Sequence, residues 1–148
     1  MHDSRVVANR FLELAAAAND TLTPMQLLKL VYIAHGWMLG LHGRPLVRDE
    51  IQAWQYGPVI PRLYNAIRQY RSNPVEGPVA ASREDLDADE LSIIKQTFEG
   101  YGDMSGPALS RLTHAPNTPW HVSYIPGTFG CEMSNDIIEN HYRALAAG

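Results

Sequence analysis

The sequence predicts a mainly α fold: one compact domain over residues 1–148, a helical bundle with a small β-hairpin-like element between the second and third helices. Three observations carry this expectation. Apolar residues recur at helical spacing through successive segments. Helix-start signals stand where most of those segments begin. One segment, Leu27 to Leu41, is apolar on nearly every side, as befits a helix at the centre of its domain.

The first helix is expected from about Asp3 to Ala18, with Val7, Phe11, Leu14 and Ala18 on one face. Asn19-Asp20 ends it. Thr23 then caps the second helix, with Pro24 at its first position and Gln26 completing a capping box. This helix runs to about His42. Only a narrow stripe of Gln26, Lys29, Gly36 and Gly40 interrupts its apolar surface. Each glycine costs a helix roughly 1 kcal/mol relative to alanine, so the pair implies close approach of another chain segment.

Gly43 to Pro45 turns the chain. Leu46-Val47 and Ile51 to Trp54 read as two short extended pieces around Arg48-Asp49-Glu50, forming the small hairpin. Gly57-Pro58 reads as a break, because proline disfavours helix at the residue before it. Pro61 opens a third helix with Leu63, Ala66, Ile67 and Tyr70 inward. Residues 72–78 form a proline-rich loop, too short to separate two domains. Asp87 and Glu90 cap a fourth helix ending near Gly102. Ser105 caps a short helix carrying Leu109 and Leu112. His114 to Tyr124 reads as irregular. Ser134 caps the last helix, with Ile138, Tyr142 and Leu145 inward.

Composition narrows the function. Hydrophobic residues make up 45% and charged residues 19%, which suits a folded globular chain. The formal charge of -4 weighs against direct nucleic-acid binding, although Arg62, Arg68 and Arg71 form a local basic patch. The single cysteine, Cys131, permits no internal disulfide and mildly favours a reducing compartment. The opening MHDSRVVANRF has no secretory pattern, and the uncharged run Leu30 to Leu41 is too short to span a bilayer. A cytoplasmic protein with no membrane partner is expected.

No catalytic, cofactor-binding or metal-ligating set emerges. His35 and His42 are seven apart, as are His114 and His121, which is not the adjacent-turn spacing of a helical metal pair. Ser105 and Ser134 read as caps, and Ser110 lacks a nucleophile-elbow pattern. The acidic run from Glu84 to Glu90 suits a solvated helix start. No glycine-rich phosphate loop is present. The aromatics stand apart. Trp37 is expected in the core. Trp54 and Tyr56 flank the Gly57-Pro58 turn, where side chains can be held outward, and aromatics with arginine anchor protein interfaces. The candidate binding face is therefore Trp54, Tyr56, Gly57, Pro58, Arg62, Asn65 and Gln69.

These residues also carry a resemblance. TPMQLLKLVYIAHGW, GRPLV and IQAWQYGPVIPRLY, followed by YGDMSGPALSRLTH and PNTPW, are similar in kind and order to the Panacea antitoxin domain, also called SocA-like or GepA-like. The match covers roughly Val6 to Tyr142. The resemblance implies a bacterial or prophage-borne antitoxin that neutralises a cognate toxin by direct contact. Paired toxins in the family are varied, and some are nucleotide-synthesising or translation-blocking. It implies no catalytic residues. It leaves open an adaptor that hands its toxin to a protease, and either self-association or a hetero-oligomer with the toxin. A small hydrolase is the rival reading; it needs His35, His114 or His121 beside an acidic residue in an open pocket.

Overall fold

The structure, a computed structural model, describes every residue from Met1 to Gly148. The chain forms seven helices and a small three-stranded antiparallel sheet: α1 (Ser4–Ala17), α2 (Pro24–His42), β1 (Gln52–Trp54), β2 (Gly57–Val59), α3 (Pro61–Ile67) with a 3-10 turn (Arg68–Tyr70), α4 (Ala88–Tyr101), α5 (Gly106–Thr113), α6 (Pro119–Ser123), β3 (Cys131–Glu132) and α7 (Asn135–Ala146). The expected mainly α architecture is observed. No helix is long and apolar enough to cross a membrane.

α2 is the axis of the domain. The Thr23 and Gln26 side chains bond each other's backbone N–H groups, which closes the capping box that starts the helix. Gly43, at φ 69, ends it. Every residue from Leu27 to Gly36 is buried, because α1, α3, α4, α5, α7 and β2 all pack around this one helix. The helical glycines do what their cost implied. A Cβ on Gly36 would meet the Tyr142 ring, and one on Gly40 would meet the Tyr142 and Arg143 backbone, so α7 can lie directly on α2. Trp37 is half-buried at the margin of the core, edge-on to Tyr142 at 5.1 Å, and its Nε1–H donates to the Tyr101 hydroxyl at 3.2 Å.

His35 is fully buried and neutral in role. Its Nδ1 accepts the N–H groups of Leu46 and Val47, both at 3.2 Å, and Nε2–H donates to Asn135 Oδ1 at 2.9 Å. Burial pushes its pKa down to about 4. The ring thus fastens the chain after α2 to the start of α7.

Several local expectations are corrected. The hairpin is formed by β1 and β2, with Trp54 opposite Gly57 and Gln55-Tyr56 as its two-residue turn. Gly57-Pro58 is therefore strand, not a break. Proline is tolerated there because β2 is an edge strand. Leu46-Val47 pairs instead with the N-terminus, through His2 N–H to Leu46 O and Arg48 N–H to His2 O, both 2.9 Å. The third strand, β3, lies on the other edge of β1, with Ala53 opposite Cys131. Within the stretch read as irregular, Thr118 caps α6, whose first residue is Pro119. Leu41 and Leu145, read as apolar-face residues, are exposed.

Candidate functional site: an aromatic groove beside the hairpin

The β1–β2 turn is held by side chains from three helices. Trp120 Nε1–H, from α6, donates to Trp54 O at 2.6 Å. Ser110 Oγ–H, from α5, donates to Tyr56 O at 2.7 Å. Lys29 Nζ, from α2, donates to Pro58 O at 2.7 Å. Alternate carbonyls of the hairpin are thus each tied to a different helix, and the turn is a fixed platform. Gly57 completes the fit: its φ is 122, and a Cβ there would stand 2.9 Å from Lys29 Nζ.

A groove of about 870 Å³ opens beside this platform. α2 contributes Met25, Leu28 and Lys29. The hairpin contributes Trp54, Tyr56 and Val59. The segment from α3 onward contributes Tyr64, Arg68 and Arg71, and the loop before β3 contributes Tyr124, Thr128 and Phe129. Trp54 is braced edge-on by Tyr64 at 5.0 Å, and Phe129 leans on its ring at 4.9 Å. Tyr124 stacks on Trp120 at 4.8 Å. The rim is nevertheless bare: Tyr56 is 70% and Phe129 79% exposed. Large aromatics this exposed around a concave surface mark an interaction site more often than a solvent face.

Lys29 is the unusual group. It is 4% exposed, and burial alone lowers its pKa to about 7. An ammonium has three donors, and only the bond to Pro58 O is made.

The sequence-derived face divides here. Trp54 and Tyr56 line the groove, while Gly57 and Pro58 are buried in the strand that backs it. Asn65 and Gln69 are exposed on α3 and the turn after it. Arg62 is exposed but faces elsewhere: Nε lies 3.5 Å from Asp49 and Nη1 3.8 Å from Asp3. Arg68 and Arg71, read only as a basic patch, belong to the groove. Lys29, read only as part of the stripe on the second helix, also belongs to it, as do Tyr124 and Phe129, which were not singled out. A solitary lysine inside an apolar helix was the available signal for the first, and a phenylalanine in a glycine-flanked loop for the last.

The geometry that would favour a hydrolase is not formed at the three histidines named for it. His35 is enclosed as described. His114 packs edge-on to Trp120 at 5.3 Å, with Ser110 beside Nδ1. His121 Nδ1 accepts the Asn117 N–H at 3.3 Å. None stands beside a carboxylate.

Comparison with known proteins bears on the same segments. Residues 27–121 match the family model "Antitoxin SocA-like, Panacea domain". The chain is also similar to the Antitoxin SocA of Caulobacter vibrioides (strain NA1000 / CB15N), 32% identical over 155 residues, covering 95% of this chain and 82% of that protein. No solved structure matches the chain. The matched stretch runs from the central helix through the hairpin to the helix that ties down Trp54, and on these findings the chain belongs to the SocA-like antitoxin family that carries the Panacea domain.

Proposed function

We propose that this protein is an antitoxin that neutralises a cognate bacterial or prophage toxin by direct protein–protein binding in the cytoplasm. The aromatic groove is its binding face. Trp54 and Tyr56 are the central anchors, Gly57 and Pro58 set the platform, and Asn65, Gln69 and, further out, Arg62 form the periphery. The observation that supports this most is the hairpin itself. Three helices spend side-chain hydrogen bonds on its carbonyls, yet the aromatic at its tip is left in solvent. Rigid exposed aromatics bind at low entropic cost and dominate interface energetics. A toxin complex of the usual size buries about 1,200–2,000 Å² in total, so the groove would form only its centre.

The test is co-expression with the product of the adjacent open reading frame. The wild type is expected to restore growth and to co-purify with that product. Tyr56→Ala should weaken both, with the melting temperature unchanged. Full rescue and wild-type affinity in Tyr56→Ala would remove the groove from the interface.

A further inference from the structure

Six of the twelve Lys and Arg residues have a carboxylate within 4 Å: Arg5, Arg10, Arg44, Arg48, Arg62 and Arg143. Lys29, Arg68 and Arg71 do not, and all three line the groove. No aspartate or glutamate lines it. In a chain with a net charge of -4, the groove thus holds three of the six cations without a carboxylate partner, the others being Arg83, Lys95 and Arg111. We propose that the groove receives an acidic segment of the toxin, with a carboxylate reaching Lys29 and a neighbouring apolar side chain packing against Tyr56 and Phe129. This inference rests on the toxin-binding reading above.

Two features argue for a built site. The first is Lys29. Taking an ammonium out of water without a counter-ion is costly, and a buried charge is ordinarily paired. Here the ammonium meets one carbonyl, lines an open groove and keeps donors to spare. An incoming carboxylate would supply the missing pair.

The second is Arg71. Its backbone stands at φ 56, ψ -112, and Asn73 N–H closes the turn onto Tyr70 O at 2.9 Å. These are the values of the first central position of a type II′ turn, where glycine is favoured. A side chain at such a position is strained, and strain of this kind concentrates at functional sites. Arg71 lines the groove from this position.

The occupant is more fitting as protein than as free nucleotide. The rim aromatics are exposed over most of their surface, which suits a partner large enough to cover them.

The product of the adjacent open reading frame is titrated against wild type, Lys29→Met, Arg71→Gly and Tyr56→Ala, with melting temperatures in parallel. Lys29→Met is expected to bind about 30-fold more weakly or worse, as for loss of one partner of a desolvated charge pair. Its melting temperature should be equal or higher. A lysine that merely braces Pro58 would give the opposite melting result and normal binding. Arg71→Gly is expected to melt higher yet bind about threefold to tenfold more weakly. It carries the test alone if Lys29→Met does not fold. Wild-type affinity in both variants, with Tyr56→Ala impaired, overturns the acidic occupant and leaves the face standing. Wild-type affinity in all three overturns the face as well. Binding of a fluorescent nucleoside triphosphate that is lost in Lys29→Met, with toxin affinity intact, overturns the protein occupant in favour of a nucleotide.

Discussion

The N-terminal face and the aromatic groove use the same residue types to opposite ends. On the N-terminal face, charges answer one another. The Asp3 carboxylate accepts the Arg5 N–H and Nε–H at 2.9 Å, and that guanidinium holds its pKa down to about 2. Asp49 accepts the Ser4 N–H at 3.0 Å at the start of α1. Glu84 receives Arg48 at 2.9 Å and, with Glu90, brackets the His2 ring, both contacts at 2.9 Å. Arg44 reaches Asp87 at 2.9 Å. This face fastens the N-terminus to the loop after α2 and to the start of α4. In the groove, by contrast, Lys29, Arg68 and Arg71 have no acidic partner, and Tyr56 and Phe129 stand in water. Paired polar groups that satisfy one another serve the fold. On the reading proposed above, unpaired ones on a rigid frame serve recognition, at some expense of stability.

That contrast can be broken from either side. The largest loss of stability is expected from Asp49→Ala. The carboxylate is nearly inaccessible, and its removal leaves Ser4 N–H and Oγ unpartnered and Arg62 without its nearer acid. A cost of about 2–4 kcal/mol in chemical denaturation is expected, with toxin binding by the folded fraction unchanged.

Lys29 should show the reverse. Its folded pKa of about 7 lies below the ordinary lysine value near 10.5. Between those values the unfolded chain binds more protons, so stability rises with pH. The group contributes at most about 1.4 kcal/mol per pH unit. Its ammonium sits by Pro58 and Gly57, on the side of that glycine where His114 also packs, and no carboxylate is within 4 Å. Wild type is expected to gain about 2 kcal/mol between pH 7 and pH 9, and Lys29→Met to lose that rise. Denaturation at the two pH values decides it; equal rises would show that Lys29 is solvated rather than buried.

Smaller effects sharpen the comparison further. Arg71→Gly should stabilise the fold by about 1 kcal/mol, the relief of one positive-φ side chain. Arg62→Ala, which removes two exposed and long ion pairs, should cost no more than about 1 kcal/mol in denaturant and alter neutralisation only slightly. A large loss of neutralisation in Arg62→Ala would move the centre of the binding face toward α3.

The two regions differed in how plainly the sequence announced them. The Thr23-Gln26 and Asp87-Glu90 boxes act within a few residues, so helix starts were legible. The glycine stripe on α2 was legible as a close approach, although its partner, Tyr142, is distant in sequence. The hairpin was misplaced by a few residues because Gly-Pro ordinarily marks a turn; an edge strand, with no partner on its outer side, accepts it. The pairing of β1 with β3 was hidden, since two residues of strand carry no periodic pattern. Trp54 and Tyr56 could be named from the sequence, but not their neighbours. The groove joins residues from Met25 to Phe129, and only the fold brings them together. Arg62 looked like part of the same surface because it is near in sequence; one turn of helix aims it at Asp3 and Asp49 instead.

Hydrogen exchange on the purified complex with the adjacent gene's product compares the two faces in one experiment. Backbone amides across residues 54–59 and 124–131 are expected to slow on binding, while those of residues 2–5, 48–50 and 84–90 exchange as in the free protein. Slowing confined to the charge-paired N-terminal face, with the hairpin and the loop before β3 unchanged, would contradict a toxin-binding groove.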